Sequence, residues 1–254
     1  MKTVGIIQVR TTSTRLPKKC LLKINKKTIL EHIILRLKFC KTLDSLCVAT
    51  TTNKTDDIIE CISNELEICV FRGSENDVLD RFYQAAKIIS ADVICRVTAD
   101  DPFKDPKIID NFMREFLVND YDYLSNTIVP SYPEGIDIEI FRFSALEKAW
   151  KDAKLQSERE HVTPYIWKNR NLFKICNKRY KKDISSFRWT LDKPEDWVFI
   201  QQIYDRLYEP DKIFYMEDIL ELLEQEPDLI EINKGTVRNE GYLKSIKQDK
   251  RYFD

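Results

Sequence analysis

The strongest constraint on the fold is a switch of hydrophobic period that recurs through the first half of the chain. Val4 to Val9 is an apolar run with the length and continuity of a strand buried on both faces. Thr28-Ile29-Leu30-Glu31 then has the Thr-x-x-Glu form of a capping box. Leu30, Ile33, Ile34 and Leu37 follow at the i, i+3, i+4, i+7 spacing of one helical face. The couplet repeats: strand 45–51 with helix 56–66, strand 68–71 with a helix over about 77–90, and strand 91–97 with a helix from Asp105-Pro106 to about Val118. Strand and helix alternating over short links imply a mostly parallel sheet covered by helices on both faces. The 254 residues suffice for one large α/β domain with a full core.

The rhythm then breaks. Residues 121–126 and 136–141 read as strands around Pro130-Ser131-Tyr132-Pro133-Glu134-Gly135, an inserted or projecting hairpin. Helices are expected over 144–154 and 158–168, a strand over Phe187–Asp192, a helix from Pro194 to about Tyr208, and a short one over 216–224. From Asn233 the chain is polar and reads as a tail, mobile or packed on the domain.

Charge excludes several classes of partner. With 41 basic and 42 acidic residues and a net charge of −1, no basic track suits nucleic acid. No apolar stretch approaches the ~20 residues of a membrane helix, and the N-terminal run is too short for a signal-peptide core. Seven cysteines without a Cys-x-x-Cys fit free thiols in a reducing, cytoplasmic setting better than disulfides or zinc. Two histidines, His32 and His161, argue against a histidine-based metal site.

Chemistry concentrates where the strands end. After Val9 comes a hydroxyl-rich loop carrying Arg10, Arg15, Lys18 and Lys19 ahead of the first helix. Four cations within ten residues behind a buried strand suit a phosphate, although a solvated basic turn has the same composition. The loop is neither a P-loop nor a dinucleotide fingerprint. Asp100, in Thr98-Ala99-Asp100-Asp101-Pro102 after the fourth strand, sits where open α/β sheets bind ligands, and it suits Mg²⁺ or a turn cap. Asp192 repeats that strand-to-helix setting, as a second metal ligand or as the cap of the next helix. Strand alternation puts Asp137 and Glu139 on one face. His161 has no nucleophile partner in sequence and reads from its neighbours as a packed or surface residue.

Taken in order, these segments are similar to a known family. Ile6-Ile7-Gln8-Val9-Arg10 with Ser13-Thr14-Arg15-Leu16-Pro17-Lys18-Lys19 resembles the signature of the cytidylyltransferases that activate 3-deoxy sugar acids. Phe71-Arg72-Gly73-Ser74, Asp77-Val78-Leu79-Asp80-Arg81-Phe82, Arg96-Val97-Thr98-Ala99-Asp100, Tyr132 to Glu139, Ser157 to Tyr165 and Trp189 to Asp196 resemble its spore coat polysaccharide biosynthesis branch. The resemblance implies a three-layer α/β/α GT-A-like nucleotidyltransferase fold, a nucleoside triphosphate (CTP), Mg²⁺, a small anionic acceptor and a homodimer. Carried over by motif, Arg15 and Lys19 hold the triphosphate and act in catalysis with Asp100, while Asp100 and Asp192 ligate the metal. Gln8, Val9, Arg10, Thr12, Ser13 and Arg81 contact the nucleotide, and Glu134, Asp137, Glu139, Arg159 and His161 face the acceptor. The family has glycine at the positions of Thr12, Lys18 and Ala99, so the phosphate loop here departs from its relatives where backbone freedom matters. The implied reaction is nucleotidyl transfer with release of pyrophosphate. A GT-A glycosyltransferase using Asp100-Asp101 or Asp137-Ile138-Glu139, and a non-catalytic nucleotide-binding subunit, are the competing readings.

Overall fold

A computed structural model describes residues 1–13 and 15–250. Its strands are β1 (Thr3–Gln8), β2 (Lys23–Ile24), β3 (Lys27–Thr28), β4 (Ser45–Thr51), β5 (Cys69–Gly73), β6 (Val93–Thr98), β7 (Tyr123–Ser125), β8 (Glu139–Arg142) and β9 (Ile175–Asn177). Its helices are α1 (Ile29–Leu37), α2 (Asp57–Glu65), α3 (Val78–Ile88), α4 (Pro106–Val118), α5 (Phe143–Asp152), α6 (Gln156–His161), α7 (Pro164–Lys168), α8 (Pro194–Leu207), α9 (Met216–Gln225), α10 (Asp228–Glu231) and α11 (Glu240–Lys250). Seven strands form one sheet in the order β5-β4-β1-β6-β8-β7-β9, in which β8 alone runs against the others. The mostly parallel sheet read from the sequence is present.

Period-two alternation sends each strand's side chains into two separate cores. Val4 and Ile6 of β1, Ile94, Tyr123 and Phe141 face α3 and α5. Ile7, Val93, Cys95, Val97, Leu124 and Ile140 face α1, α4, α8 and α9. The capping box of α1 forms as its sequence predicts: Thr28 Oγ1 accepts from the Glu31 N–H at 3.2 Å, and Glu31 Oε2 accepts from the Thr28 N–H at 2.6 Å.

The chain runs outward from β1 through β4 to β5, then returns across β1 to place β6 on its other side. The carboxyl ends of β1 and β6 therefore diverge at a topological switch point, the position where open α/β sheets leave a crevice. The basic loop after β1 and the aspartates after β6 flank it.

Two expectations change, and the packed alternative holds for the tail. The 121–141 hairpin is antiparallel but does not project; β7 and β8 are built into the main sheet, and Ser131 to Ile136 are buried. Phe187–Asp192 is not a regular strand. It makes one bridge, Arg188 to Glu134, because its backbone is spent on two partners: the Trp189 N–H donates to Glu134 O at 2.7 Å and the Leu191 N–H to Asp100 O at 2.7 Å. The polar end of the chain is helical over Glu240–Lys250, packed on α6.

Candidate active site

Two aspartates that sequence left as either caps or ligands are free of capping duty. Helix α4 is capped by Asp105, which accepts from the Lys107 and Ile108 N–H groups at 2.8 and 3.2 Å. Helix α8 is capped by Asp196, whose Oδ2 accepts from the Asp192 and Lys193 N–H groups, both at 2.9 Å. Asp196 also takes both arms of the Arg188 guanidinium, at 2.8 and 3.0 Å, and Arg188 reaches Glu134 at 2.6 Å. This buried hub, with the backbone bond from Leu191 to Asp100, fixes Asp192 beside Asp100 although 92 positions separate them in sequence.

The side chains of Asp100 and Asp192 converge on one cation. Lys19 Nζ lies 2.7 Å from Asp100 Oδ2 and 2.7 Å from Asp192 Oδ1. Arg15 donates to the same Asp192 oxygen at 2.7 Å. Burial by itself pushes the Asp100 carboxyl up, but the charge and hydrogen bond of Lys19 outweigh it and hold that carboxyl down at about 2. Burial likewise disfavours the Lys19 ammonium, and the two aspartates more than compensate, so its pKa is raised. Asp100 is thus ionised and Lys19 charged at neutral pH.

The loop itself is braced from below. Asp56, fully buried, accepts from the Thr11 N–H at 2.8 Å and the Thr11 hydroxyl at 2.6 Å. Lys18 takes a left-handed backbone, φ 56°, the conformation for which glycine is the ordinary choice. Thr12 donates to Glu75 at 2.6 Å, and Arg10 lies 3.6 Å from the same carboxylate. Thr14 lies outside the described residues.

Arg15, Lys19, Asp100 and Asp192 line one end of a cleft of about 730 Å³. Gln8, Val9, Arg10, Ser13, Arg15, Lys19, Asp100 and Asp192 border it, as do Glu134, Asp137, Glu139 and His161. Three residues expected there are elsewhere. Arg81 is fully buried on the core face of α3 and donates to Ser74 O at 2.7 Å. Arg159 grips Asp77, its Nε 3.0 Å from each carboxylate oxygen. Thr12 turns to Glu75 and is not among the lining residues.

The carboxylates expected to face an acceptor are engaged by protein cations. Glu139 pairs with Arg96 and accepts from Tyr123 Oη at 2.7 Å, while Asp137 pairs with Arg238. Asp101 is held by Lys104 at 2.8 Å and Thr98 Oγ1 at 2.7 Å. In Asp100-Asp101 and in Asp137-Ile138-Glu139 every carboxylate is thus paired with a protein cation.

Sequence reasoning missed Arg96, Arg188 and α11. Arg96 interrupts an otherwise apolar strand, a signal that was present. Helix α11 left a weaker one, the Glu240–Lys244 pair at i, i+4, yet Gly241, Tyr242, Lys244, Ser245 and Gln248 all border the cleft.

For a metal, the donor set decides. Among the described residues no cluster of three or more His, Cys, Asp or Glu side chains is poised to hold one. Two carboxylates gathered around one ammonium do fit a hard cation that completes its shell with substrate phosphates and water.

Known proteins share this fold. The family model described as cytidylyltransferase matches residues 4–237. An uncharacterized protein of Methanocaldococcus jannaschii is 43% identical over 249 residues, 95% of this chain and 98% of its own. The spore coat polysaccharide biosynthesis protein SpsF of Bacillus subtilis is 32% identical over 237 residues, 88% of this chain and 94% of its own. A solved cytidylyltransferase from Leptospira borgpetersenii superposes with a TM-score of 0.88 at 36% identity, covering 94% of this chain and all of that one. With the match running from Val4 to Val237 and the fold shared, the chain belongs to the cytidylyltransferase family.

Proposed function

We propose that the protein transfers a cytidylyl group from CTP to a small anionic acceptor, a sugar acid or a related phosphate or phosphonate precursor of a surface glycan, releasing pyrophosphate. The observation that carries this reading is the convergence of Lys19 and Arg15 on Asp100 and Asp192 at the switch point of the sheet. The name of the SpsF relative supports the glycan context, and the family supports CTP as donor.

In this reading Arg15 and Lys19 trade their aspartate contacts for the β- and γ-phosphates and neutralise charge on the departing pyrophosphate. Their positions are preset by the Asp56–Thr11 brace and the Arg188 hub, so little reorganisation accompanies reaction. Asp100 and Asp192 would hold Mg²⁺, which supplies Lewis-acid neutralisation of the phosphates when bound. The acceptor binds at the Glu134–Glu139–His161 end. There Arg96, Arg188 and Arg238 offset an anionic acceptor against carboxylates they already hold. Catalysis is positional and electrostatic, with no covalent enzyme intermediate.

Removing one contact of this kind typically costs roughly 2.7–4 kcal/mol of transition-state stabilisation, about 10²–10³ in turnover. Arg15→Ala and Asp100→Ala should each lose that much pyrophosphate release from CTP and Mg²⁺ across an acceptor panel, with the circular dichroism spectrum unchanged. Near-normal release in either variant refutes the assignment.

A further inference from the structure

Helix α11 lies beyond residue 237, where the family match ends, yet it forms one wall of the cleft. It is anchored rather than loosely laid down. Asp249 accepts from the Ser157 N–H at 3.1 Å, and Ser245 is buried at 3% exposure against α6. The Tyr242 ring meets the His161 ring edge-on, with centroids 5.1 Å apart.

The hydrogen bonds of Ser245 determine the state of His161. The Ser245 hydroxyl has one proton and three groups that could accept it, Glu160 Oε2 at 2.8 Å, Gly241 O at 3.2 Å and, were Nδ1 the protonated nitrogen, His161 Nε2. The Glu160 carboxylate can only accept and lies nearest, so it takes the proton and leaves Ser245 Oγ as an acceptor toward His161 Nε2, 3.0 Å away. Nε2 must then be the protonated nitrogen, and in a neutral ring Nδ1 is a bare acceptor. The ring is neutral at pH 7, since burial drives its pKa down to about 4. Glu160 on α6, Glu139 on β8 and Asp249 on α11 oppose that shift, and Arg96 on β6 adds to it. Such a weak base makes a poor proton acceptor at neutral pH but a serviceable hydrogen-bond acceptor.

We propose that Ser245 is a positioning residue that fixes His161 as the Nε2–H tautomer, so that Nδ1 accepts a hydrogen bond from a hydroxyl of the nucleotidyl acceptor. The acceptor role rests on the cytidylyl-transfer reading of the cleft; the tautomer does not. A segment outside the matched family region thereby sets how this chain reads its acceptor.

The tautomer is measured directly by long-range ¹H–¹⁵N correlation spectra of the full-length ¹⁵N-labelled protein. With only two histidines, a His161→Gln sample completes the assignment. The wild type should show His161 neutral and Nε2–H from pH 6 to 8. Ser245→Ala should mix the tautomers and Ser245→Thr should restore one. With any acceptor that supports pyrophosphate release, Ser245→Ala should raise acceptor KM about tenfold, the scale of one lost hydrogen bond, and leave CTP affinity unchanged. An Nδ1–H or doubly protonated His161 in the wild type, or an unaltered tautomer in Ser245→Ala, overturns the proposal. If CTP fails to bind the same samples while the tautomer is as stated, the cleft's function is refuted and the acceptor role falls with it.

Discussion

Lys18 shows how a single position records both the fold and its strain. Its backbone is left-handed at φ 56°, it follows Pro17, and its N–H donates to Thr11 O at 3.0 Å to close the loop. A side chain there costs roughly 1 kcal/mol that glycine avoids, partly offset by glycine's greater freedom in the unfolded chain. Lys18→Gly should therefore leave stability unchanged or raise it by up to about 1 kcal/mol in urea unfolding. A clear loss would mean that the ammonium has a structural partner. The glycine absent at Ala99 needs no such account, because Ala99 is not in the left-handed region. Other residue-scale readings went astray where a motif was followed against its periodicity. Arg81 falls three residues after Val78 and four before Ala85, on the face of α3 that carries the core. That spacing was legible and argued for burial. Arg159, by contrast, was unreadable, because its partner Asp77 comes from another element altogether.

At the scale of elements, local signals were read well and long-range ones were not. The capping box of α1 is contained in four residues, so the sequence exposes it fully. Thr28→Ala should lower stability by about 1 kcal/mol while leaving CTP affinity alone, read by paired denaturation and titration. Affinity falling in parallel would show that α1 positions the loop more tightly than its cap implies. The Phe187–Asp192 segment has strand-like composition, but its backbone partners, Glu134 and Asp100, lie 53 or more positions away. No local pattern reports that. The same distance conceals why Asp192 comes to border the cleft beside Asp100. Its capping role passes to Asp196, and only the fold shows that the following helix does not need it.

For the whole molecule, the alternation of strand and helix was enough to foresee a mostly parallel sheet with two cores. The crevice followed from where the strand order reverses. What sequence could not supply was the closing wall, since α11 has little apolar periodicity and buries its polar residues against α6 instead. Both histidines have a lowered pKa, chiefly by desolvation: His32, which is buried, and His161, which is half-buried and falls to about 4. A histidine more acidic in the folded than in the unfolded chain contributes stability that is whole above about pH 6.5 and is lost as pH falls toward 4. Stability should therefore decline over that window. His161→Gln should flatten the slope by up to about 1.4 kcal/mol per pH unit, measured by urea unfolding at pH 7, 5.5 and 4.5. An unchanged slope would show His161 to be solvated.

The central claim is that the loop after β1 and the aspartates facing it form a triphosphate site for CTP. Calorimetric titration of CTP, UTP, ATP and GTP with Mg²⁺ into wild type and Lys19→Ala tests it most directly. CTP should bind tightest, and Lys19→Ala should weaken it by about 10²-fold, the order expected for losing a buried charge-assisted contact. Failure of the wild type to bind CTP, or equal affinity in the variant, would contradict the account.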